Sequence, residues 1–292
     1  MKKKILLTGT TGFIGKLFLK KLLSKNIEVL DIVRRKNINN KDLLALKKKY
    51  PKKYNTIFYS KYSDLKKLEN YKFHCFINFA TLYKNKHEHR EILEFVDSNI
   101  LFPSIILDLI YVKTKKIINF GTMMQHSSND DYSPKNFYAS TKSAFEMILK
   151  YYEKQIKNLK IYNIKFYESF HETDNRKKLI PTLIRNYKNQ KSTDILSKKL
   201  YLNIIHTDDL FRAIFILLEK NLKSRDFQLL NKRNINIYNL INKFNFNNNN
   251  KIKINFLSSK NIMKPRTKTL KSIPGWNGGQ DIENKILATF IK

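Results

Sequence analysis

The stretch TGTTGFIG, Thr8 to Gly15, follows a short aliphatic run, Ile5 to Leu7, and leads into helical apolar spacing from Phe13 to Leu23. Strand, glycine-rich turn and helix in that order make a pyrophosphate cradle. N–H groups at the helix N-terminus point at the anion, and the missing Cβ atoms let it approach. Gly9 permits the tight turn, Gly12 opens the backbone to the pyrophosphate, and Gly15 lets the helix lie close to the sheet. Three of only seven glycines fall between positions 9 and 15, so a glycine-rich composition does not explain the pattern. It predicts a dinucleotide site at Gly9, Thr11, Gly12, Phe13, Ile14 and Gly15.

A cradle of this kind sits on a parallel sheet, for which the chain has further candidate strands. Short β-branched and aliphatic runs lie at Ile27 to Val33, Thr56 to Tyr59, Cys75 to Phe79, Lys116 to Phe120 and Ile161 to Phe166. They alternate with helix-like stretches at Glu88 to Val112 and Phe137 to Ile156, which reads as successive βαβ units. Beyond Phe166 the rhythm loosens. A strand at Leu202 to Ile205 and a helix at Thr207 to Leu218, with Thr207 or Asp208 near its N-cap, bring the chain back to the sheet once. The expected class is α/β: a Rossmann-type doubly wound parallel sheet with a smaller C-terminal α/β substrate-binding cap. The sheet domain takes residues 1–166 and 201–222 and the cap takes 167–200 and 223–292. Asn245 to Asn250 reads as a solvated loop.

The single cysteine, Cys75, excludes an internal disulfide and a cysteine-based zinc site, and fits a reducing cytoplasm. His87 and His89 have no carboxylate–histidine constellation beside them, so no metal is expected. The opening MKKKILL resembles the charged end of a signal peptide, but its apolar part stops at Leu7. No run approaches the roughly 18 apolar residues of a membrane helix. A soluble cytoplasmic protein without membrane insertion is the expectation. The formal charge of +33 favours anionic partners. Its lysines are nevertheless spread along the whole chain among many asparagines, with no discrete basic arm. No specific nucleic-acid partner is expected, although the charge can gather anionic substrates.

The second strand bears on the choice of cofactor. In EVLDIVRRKN, Asp31 lies inside the strand and Arg34-Arg35 lie at its end. A carboxylate at that end accepts hydrogen bonds from an unmodified ribose, whereas an arginine suits a 2′-phosphate. Arg34 therefore favours NADP(H), with NAD(H) possible, unless both arginines are surface charge.

Together, TGTTGFIG, NFGT at Asn119 to Thr122, YASTK at Tyr138 to Lys142 and HTDDL at His206 to Leu210 resemble the extended short-chain dehydrogenase/reductase family, also called the NAD-dependent epimerase/dehydratase family. The phrase NFGTMMQHSSNDDYSPKNFYASTK and the ending SIPGWNGGQDIENKI look most like nucleotide-sugar 4-ketoreductases of the CDP-abequose and CDP-paratose synthase type. Tyr followed by Lys four positions later occurs four times, at Tyr62/Lys66, Tyr111/Lys115, Tyr138/Lys142 and Tyr187/Lys191. Only Tyr138/Lys142 comes shortly after a strand ending in Gly121-Thr122 and begins a long helix.

The resemblance implies that Tyr138 is the general acid/base, that Lys142 contacts the nicotinamide ribose and lowers the tyrosine pKa, and that Thr122 hydrogen-bonds the substrate oxygen. A phenol of pKa about 10 needs such a neighbour to exchange protons near neutral pH. The resemblance also implies an adenine contact from Asp64, which can equally cap the helix at Leu65, a cofactor contact from Ala80, and a dimer-forming helix beginning at Asn99, itself a cofactor-site candidate. Met123, Arg176 and Lys178 join Thr122 as substrate-binding candidates, while Asp208 and Asp209 read as architectural. His126 and His171 are acid/base candidates by position only. Dehydratases of the family resemble Thr-Asp-Glu where this chain has Thr122, Met123 and Met124, which disfavours water elimination. Tyr-Gly-Pro after the sixth strand is replaced by Phe170, His171 and Glu172. The expected activity is NADPH-dependent reduction of a nucleotide-linked 4-keto sugar for surface polysaccharide, by a homodimer. The alternatives are an NAD-dependent nucleotide-sugar 4-epimerase and a dinucleotide-binding scaffold with RNA affinity.

Overall fold

The computed structural model describes residues 4–127, 133–258, 270–279 and 281–291; the parts of the expected domains at 1–3, 128–132, 259–269, 280 and 292 lie outside the described residues. The strands are β1 (Lys4–Thr8), β2 (Glu28–Arg34), β3 (Tyr54–Tyr59), β4 (Phe73–Asn78), β5 (Thr114–Phe120), β6 (Lys160–Lys165), β7 (Glu168–Phe170), β8 (Thr193–Ile195), β9 (Tyr201–Leu202), β10 (Ile204–His206), β11 (Arg225–Gln228), β12 (Ile235–Asn236), β13 (Ile254–Phe256) and β14 (Lys271–Ser272). The helices are α1 (Phe13–Ser24), α2 (Lys41–Lys49), α3 (Ile92–Val96), α4 (Phe102–Ile110), α5 (Phe137–Gln155), α6 (Leu179–Lys188), α7 (Thr207–Glu219), α8 (Ile237–Asn247) and α9 (Ile282–Ile291).

Eight parallel strands form the central sheet in the order β14-β11-β6-β5-β4-β1-β2-β3. Leu6, Leu7, Phe76, Ile77, Ile117 and Ile118 are fully buried because helices cover both faces of these inner strands. On one face α1 and α7 meet through Phe18 and Phe211, 5.1 Å between ring centroids. On the other, Ile106 and Ile110 of α4 and Phe145 and Leu149 of α5 pack over Leu6, Phe76 and Ile117. The chain reverses its direction of travel through the sheet between β1 and β4, and the crevice at their carboxyl ends is where α/β sheets of this kind hold ligands.

A row of amides crosses the same end of the sheet. Thr8 donates to Asn78 at 2.7 Å, Asn78 to Asn119 at 3.3 Å, Asn119 to Asn163 at 3.1 Å, and Asn163 to Asp226 at 2.8 Å. Each pair is in register across β1, β4, β5, β6 and β11, and the three asparagines are buried. Asp226 also pairs with Lys165, which is buried against Glu146 at 2.9 Å.

The return to the sheet differs from expectation. Leu202 to Ile205 divides into β9, paired with β12, and β10, paired with β7, and neither joins the main sheet. The strands that return are β11, beside β6, and β14 at the edge, both within the stretch assigned to the cap. β11 reads Arg-Asp-Phe-Gln with one fully buried apolar residue, Phe227, so no hydrophobic run marks it. α7 does pack on the sheet, but its N-cap is His206, whose ring accepts from Asp208 N–H at 3.2 Å. The remaining cap has its own core, including Ile180, Leu183, Leu240, Phe244, Ile286 and Phe290. The stretch from His89 to Lys113 is helical throughout, with a wide turn at Asp97–Leu101, and is long and apolar enough to cross a membrane by length and composition alone. Here its buried side, with Phe95, Phe102 and Ile106, faces the sheet layer.

Candidate active site

A cavity of about 430 Å³ opens where the carboxyl ends of β1, β4, β5 and β6 meet the cap. Gly9, Gly12, Phe13, Ile14 and Gly15 form its floor. Gly9 has φ +76°, and a Cβ there would collide with Phe79 C=O and Ala80 N; a Cβ on Gly15 would collide with the Gly9 carbonyl. The turn, the loop after β4 and α1 therefore close on one another only with glycine at both positions. This is the cradle expected for a pyrophosphate, and the residues present fit a dinucleotide. Ala80 lines the cavity, and its N–H reaches Thr8 Oγ1 at 3.4 Å. Thr11 is exposed and stands outside the lining; it is Thr10, buried beneath the turn, whose side chain is tied down.

Thr122, Tyr138 and Lys142 all line this cavity. Thr122, two residues beyond β5, begins a tight turn at Met123–Gln125: its hydroxyl accepts from Met124 N–H at 3.2 Å, and its N–H donates to Gln125 Oε1 at 2.8 Å. That turn buries Met123 completely and directs Met124 into the cavity, so the cavity-lining methionine is the second of the pair. α5 starts at the Asn136 side chain, which accepts from Ala139 N–H at 3.0 Å and so sets Tyr138 in the first turn and Lys142 one turn later. Lys142 is 2% exposed, and burial lowers its pKa to about 8 against the opposing pull of Glu146.

The expected depression of Tyr138 by Lys142 is not what the protein alone produces. Burial pushes the phenol well above 10; the neighbouring Thr81 hydroxyl works against that, while Tyr83 and Glu168 push it further up. Tyr83 meets Tyr138 edge to face, 4.9 Å between centroids. Asn99 is buried and lies outside the cavity lining. Its side chain accepts from Thr81 at 3.1 Å and Leu82 N–H at 2.7 Å, and donates to Leu82 C=O at 3.0 Å and Thr141 at 2.9 Å. With these bonds Asn99 holds the loop after β4 against α5 and reaches the cavity through Thr81, which lines it.

The cap side of the cavity is charged. Arg176 grips Asp174 through Nε at 2.9 Å and Nη2 at 2.5 Å, donates to Ser169 at 3.2 Å, and lies 5.0 Å over the Phe13 ring. Lys178 pairs with Glu168 at 2.8 Å. Arg176, Lys177, Lys178 and Glu168 all line the cavity. Glu168 and Tyr83 escaped the sequence reading because neither belongs to a spaced motif. His126 is buried beside Lys165, Nε2 to Nζ 2.9 Å, and His171 stacks on His206; neither lines the cavity.

A second cavity, about 380 Å³, lies beyond the ends of β2 and β3. Arg34, Arg35, Lys36 and Lys61 line it together with Ser60. Arg34 donates to Asp97 at 3.1 Å and to the Tyr59 hydroxyl at 3.2 Å. Asp64 lines neither cavity. Its carboxylate accepts from Ser60 N–H at 2.8 Å and Lys61 N–H at 3.2 Å, capping the short helical stretch that follows, so the capping alternative describes it.

Comparison with known proteins bears on the same residues. The family model described as the NAD dependent epimerase/dehydratase family matches residues 5–237. CDP-abequose synthase of Salmonella muenchen is 24% identical over 237 residues, covering 78% of this chain and 74% of that protein. Protein CapI of Staphylococcus aureus is 24% identical over 236 residues, covering 74% and 70%. The solved structure of UDP-glucuronic acid 4-epimerase from Bacillus cereus with UDP-glucuronic acid and NAD superposes with a TM-score of 0.80 at 18% identity, over 99% of this chain and 98% of that one. UDP-N-acetylglucosamine 4-epimerase from Methanobrevibacter ruminantium M1 superposes with a TM-score of 0.76 at 18% identity, over 100% and 98%. With the glycine turn, the strand-end threonine and the Tyr138/Lys142 pair in one cavity, and with the family match spanning most of its length, this chain belongs to the NAD-dependent epimerase/dehydratase family.

Proposed function

We propose that the chain reduces the 4-keto group of a nucleotide-linked 4-keto-6-deoxy or 3,6-dideoxy sugar with NADPH, toward surface polysaccharide precursors. The observation that carries this reading is the convergence of Arg34, Arg35, Lys36 and Lys61 on one cavity at the ends of β2 and β3. Cations there suit a 2′-phosphate, and a phosphorylated reduced dinucleotide suits net reduction. The likeness to CDP-abequose synthase points the same way.

The bound cofactor would supply a hydride to the keto carbon. The chain's own residues manage the charge that results. Thr122 hydrogen-bonds the oxygen on which negative charge develops, and Tyr138 gives that oxygen its proton. Lys142, largely cationic below about pH 8, favours the phenolate that remains. Arg176, Lys177 and Lys178 face the space for the sugar's diphosphate, and the burial of Thr122 and Lys142 strengthens the interactions they make.

A second reading, an NAD-dependent nucleotide-sugar 4-epimerase, is supported by the shared fold of the two 4-epimerases and by the same three residues, since epimerisation returns the cofactor unchanged. The test is incubation of the purified chain with NADPH or NADH and a panel of CDP-, dTDP- and GDP-linked 4-keto-6-deoxy sugars. Cofactor oxidation with NADPH preferred is the expected result. Conversion of 4-hydroxy sugars without net oxidation would favour the epimerase. No change in any sugar, with salt-sensitive RNA binding instead, would favour a scaffold.

The family resemblance further suggests a homodimer through α4 and α5. In the structure Leu93, Leu101, Met147 and Tyr151 are exposed on adjacent helices of that side, with 81%, 44%, 52% and 58% of their surface open.

A further inference from the structure

A buried carboxyl lies under the cofactor turn, and the chemistry above makes no use of it. Asp31 is fully buried in the middle of β2. Thr10, from the turn itself, donates to Asp31 Oδ2 at 2.5 Å, and Tyr54 of β3 donates to the same oxygen at 2.8 Å. Its other oxygen has no hydrogen-bond partner among the described residues. The elements packed around it bring no countercharge. Leu7 of β1 and Thr56 of β3 flank it in register. Phe18, Leu19 and Leu22 of α1 and Leu43 and Leu46 of α2 belong to the same apolar cluster on this face. Lys16 of α1 and Lys47 of α2 are engaged elsewhere: Lys16 with Asp42, and Lys47 with Tyr54 C=O and Asn55. Among the described residues Tyr54 is the one titratable side chain that hydrogen-bonds the carboxyl, and no Lys, Arg or His forms an ion pair with it.

A carboxyl in apolar surroundings without a cation favours its neutral acid. Burial raises the Asp31 pKa from 3.8 to about 7, against the Thr10 and Tyr54 hydrogen bonds and the Ile32 N–H, which favour the anion. We infer that Asp31 is a positioning residue for the dinucleotide: through Thr10 it sets the turn that receives the pyrophosphate, and that turn holds the anion well only while the Asp31 carboxyl is neutral. Asp31 acts in this way only if the turn holds a dinucleotide, as the proposed function requires. Pyrophosphate brings negative charge to the N-terminus of α1. An ionised Asp31 behind the same turn opposes that charge across a poorly polarisable interior. Coupling of this kind is reciprocal, so cofactor binding draws a proton onto Asp31 near neutral pH.

The test titrates NADH into the full chain by calorimetry between about pH 6 and pH 8.5, in buffers of different ionisation enthalpy. NADH carries no group that titrates in that range, so proton uptake belongs to the protein. Affinity should fall roughly ten-fold across the range, with fractional proton uptake at neutral pH. Asp31→Asn should remove the part of the slope and of the uptake centred near pH 7, leaving the part near pH 8 that belongs to Lys142. Tyr54→Phe keeps the carboxyl but removes a donor to the anion, so it should move the fall to higher pH. An unchanged slope in Asp31→Asn overturns the inference, as does pH-independent binding by the parent. Equal loss of affinity at every pH in Asp31→Asn, with the slope retained, would mean a structural role only. Should NADH fail to bind, NADPH above about pH 7.5 replaces it, because its 2′-phosphate, with a second pKa near 6, is then already ionised. Failure of both dinucleotides to bind would overturn the cofactor reading and this inference together, whereas binding without the predicted pH response overturns the inference alone.

Discussion

Lys142 carries its charge into a buried place one helical turn from Tyr138, and under the proposed mechanism the resulting pKa of about 8 should set a pH limit on turnover. Below about pH 8 the ammonium is present and supports the phenolate. As pH rises through that value the charge is lost, so kcat/KM should decline with a midpoint near 8, read from a pH–rate profile. Tyr138→Phe removes the proton donor without changing the ring's packing, and should lower kcat by about 10²- to 10⁴-fold with the fold retained by circular dichroism. Wild-type turnover in that variant would sink the mechanism. Arg34→Ala should raise KM for NADPH by about ten-fold or more and leave KM for NADH little changed. Equal effects on both cofactors would mean that Arg34 serves Asp97 and Tyr59 alone. Asp31 also bears on stability. Its folded-state pKa is raised above the unfolded value, so its contribution is fully present below about pH 4 and is lost as pH rises to about 7. Asp31→Asn should flatten the parent's loss of stability over that window, a difference on the order of a few kcal/mol in urea unfolding at pH 5 and pH 8.

At the scale of elements, the end of α7 is tied to the sheet by a buried lysine of β5, beside His74 of β4, whose Nε2 lies 3.1 Å from Leu218 C=O. Lys116 of β5 donates to Leu217 C=O at 3.0 Å, Leu218 C=O at 2.9 Å and Lys220 C=O at 2.9 Å, where the helix has run out of its own N–H groups. A cation there also faces the negative end of the helix dipole. Lys116→Met keeps the length but leaves the Leu217 and Lys220 carbonyls without their donor, and should cost about 2–4 kcal/mol, seen as a lower urea midpoint; an unmoved midpoint would count against the tie. Elements of this kind show how far the sequence could be read. TGTTGFIG and Tyr138/Lys142 were legible because each is local: a turn's glycines and an i, i+4 pair meet wherever that turn and helix form. The inner strands were legible because burial on both faces leaves unbroken aliphatic runs. β11 was not, since its place beside β6 depends on Asp226 and Phe227 meeting partners some sixty residues away. Glu168 and Tyr83 reach the cavity from separate loops, with no spacing to announce it. Met124 rather than Met123 faces the cavity because a tight turn after Thr122 rotates the chain by an amount that the letters do not encode.

At the scale of the molecule, a formal charge of +33 bears on every association. Two copies that meet through Leu93, Leu101, Met147 and Tyr151 would gain from burying apolar surface and lose from bringing like charges together. Association should therefore tighten as salt rises toward about 0.5 M, the reverse of binding to RNA. Leu93→Glu combined with Leu101→Glu should give a monomer by sedimentation; a monomeric parent at every salt concentration would sink the dimer. The amide row spans the molecule in another way. Asp226, paired with Lys165, acts as an acceptor, so Asn163 must donate to it, Asn119 to Asn163, Asn78 to Asn119 and Thr8 to Asn78. The row runs in one direction, and no rung can be turned round by itself. For a lineage accumulating changes, this closes the single-step routes: a new residue at Asn78, Asn119 or Asn163 leaves a neighbour on each side stranded until a compensating change arrives on another strand. These three positions, rather than the more conspicuous apolar core, are where descendants of this chain should be least free to drift.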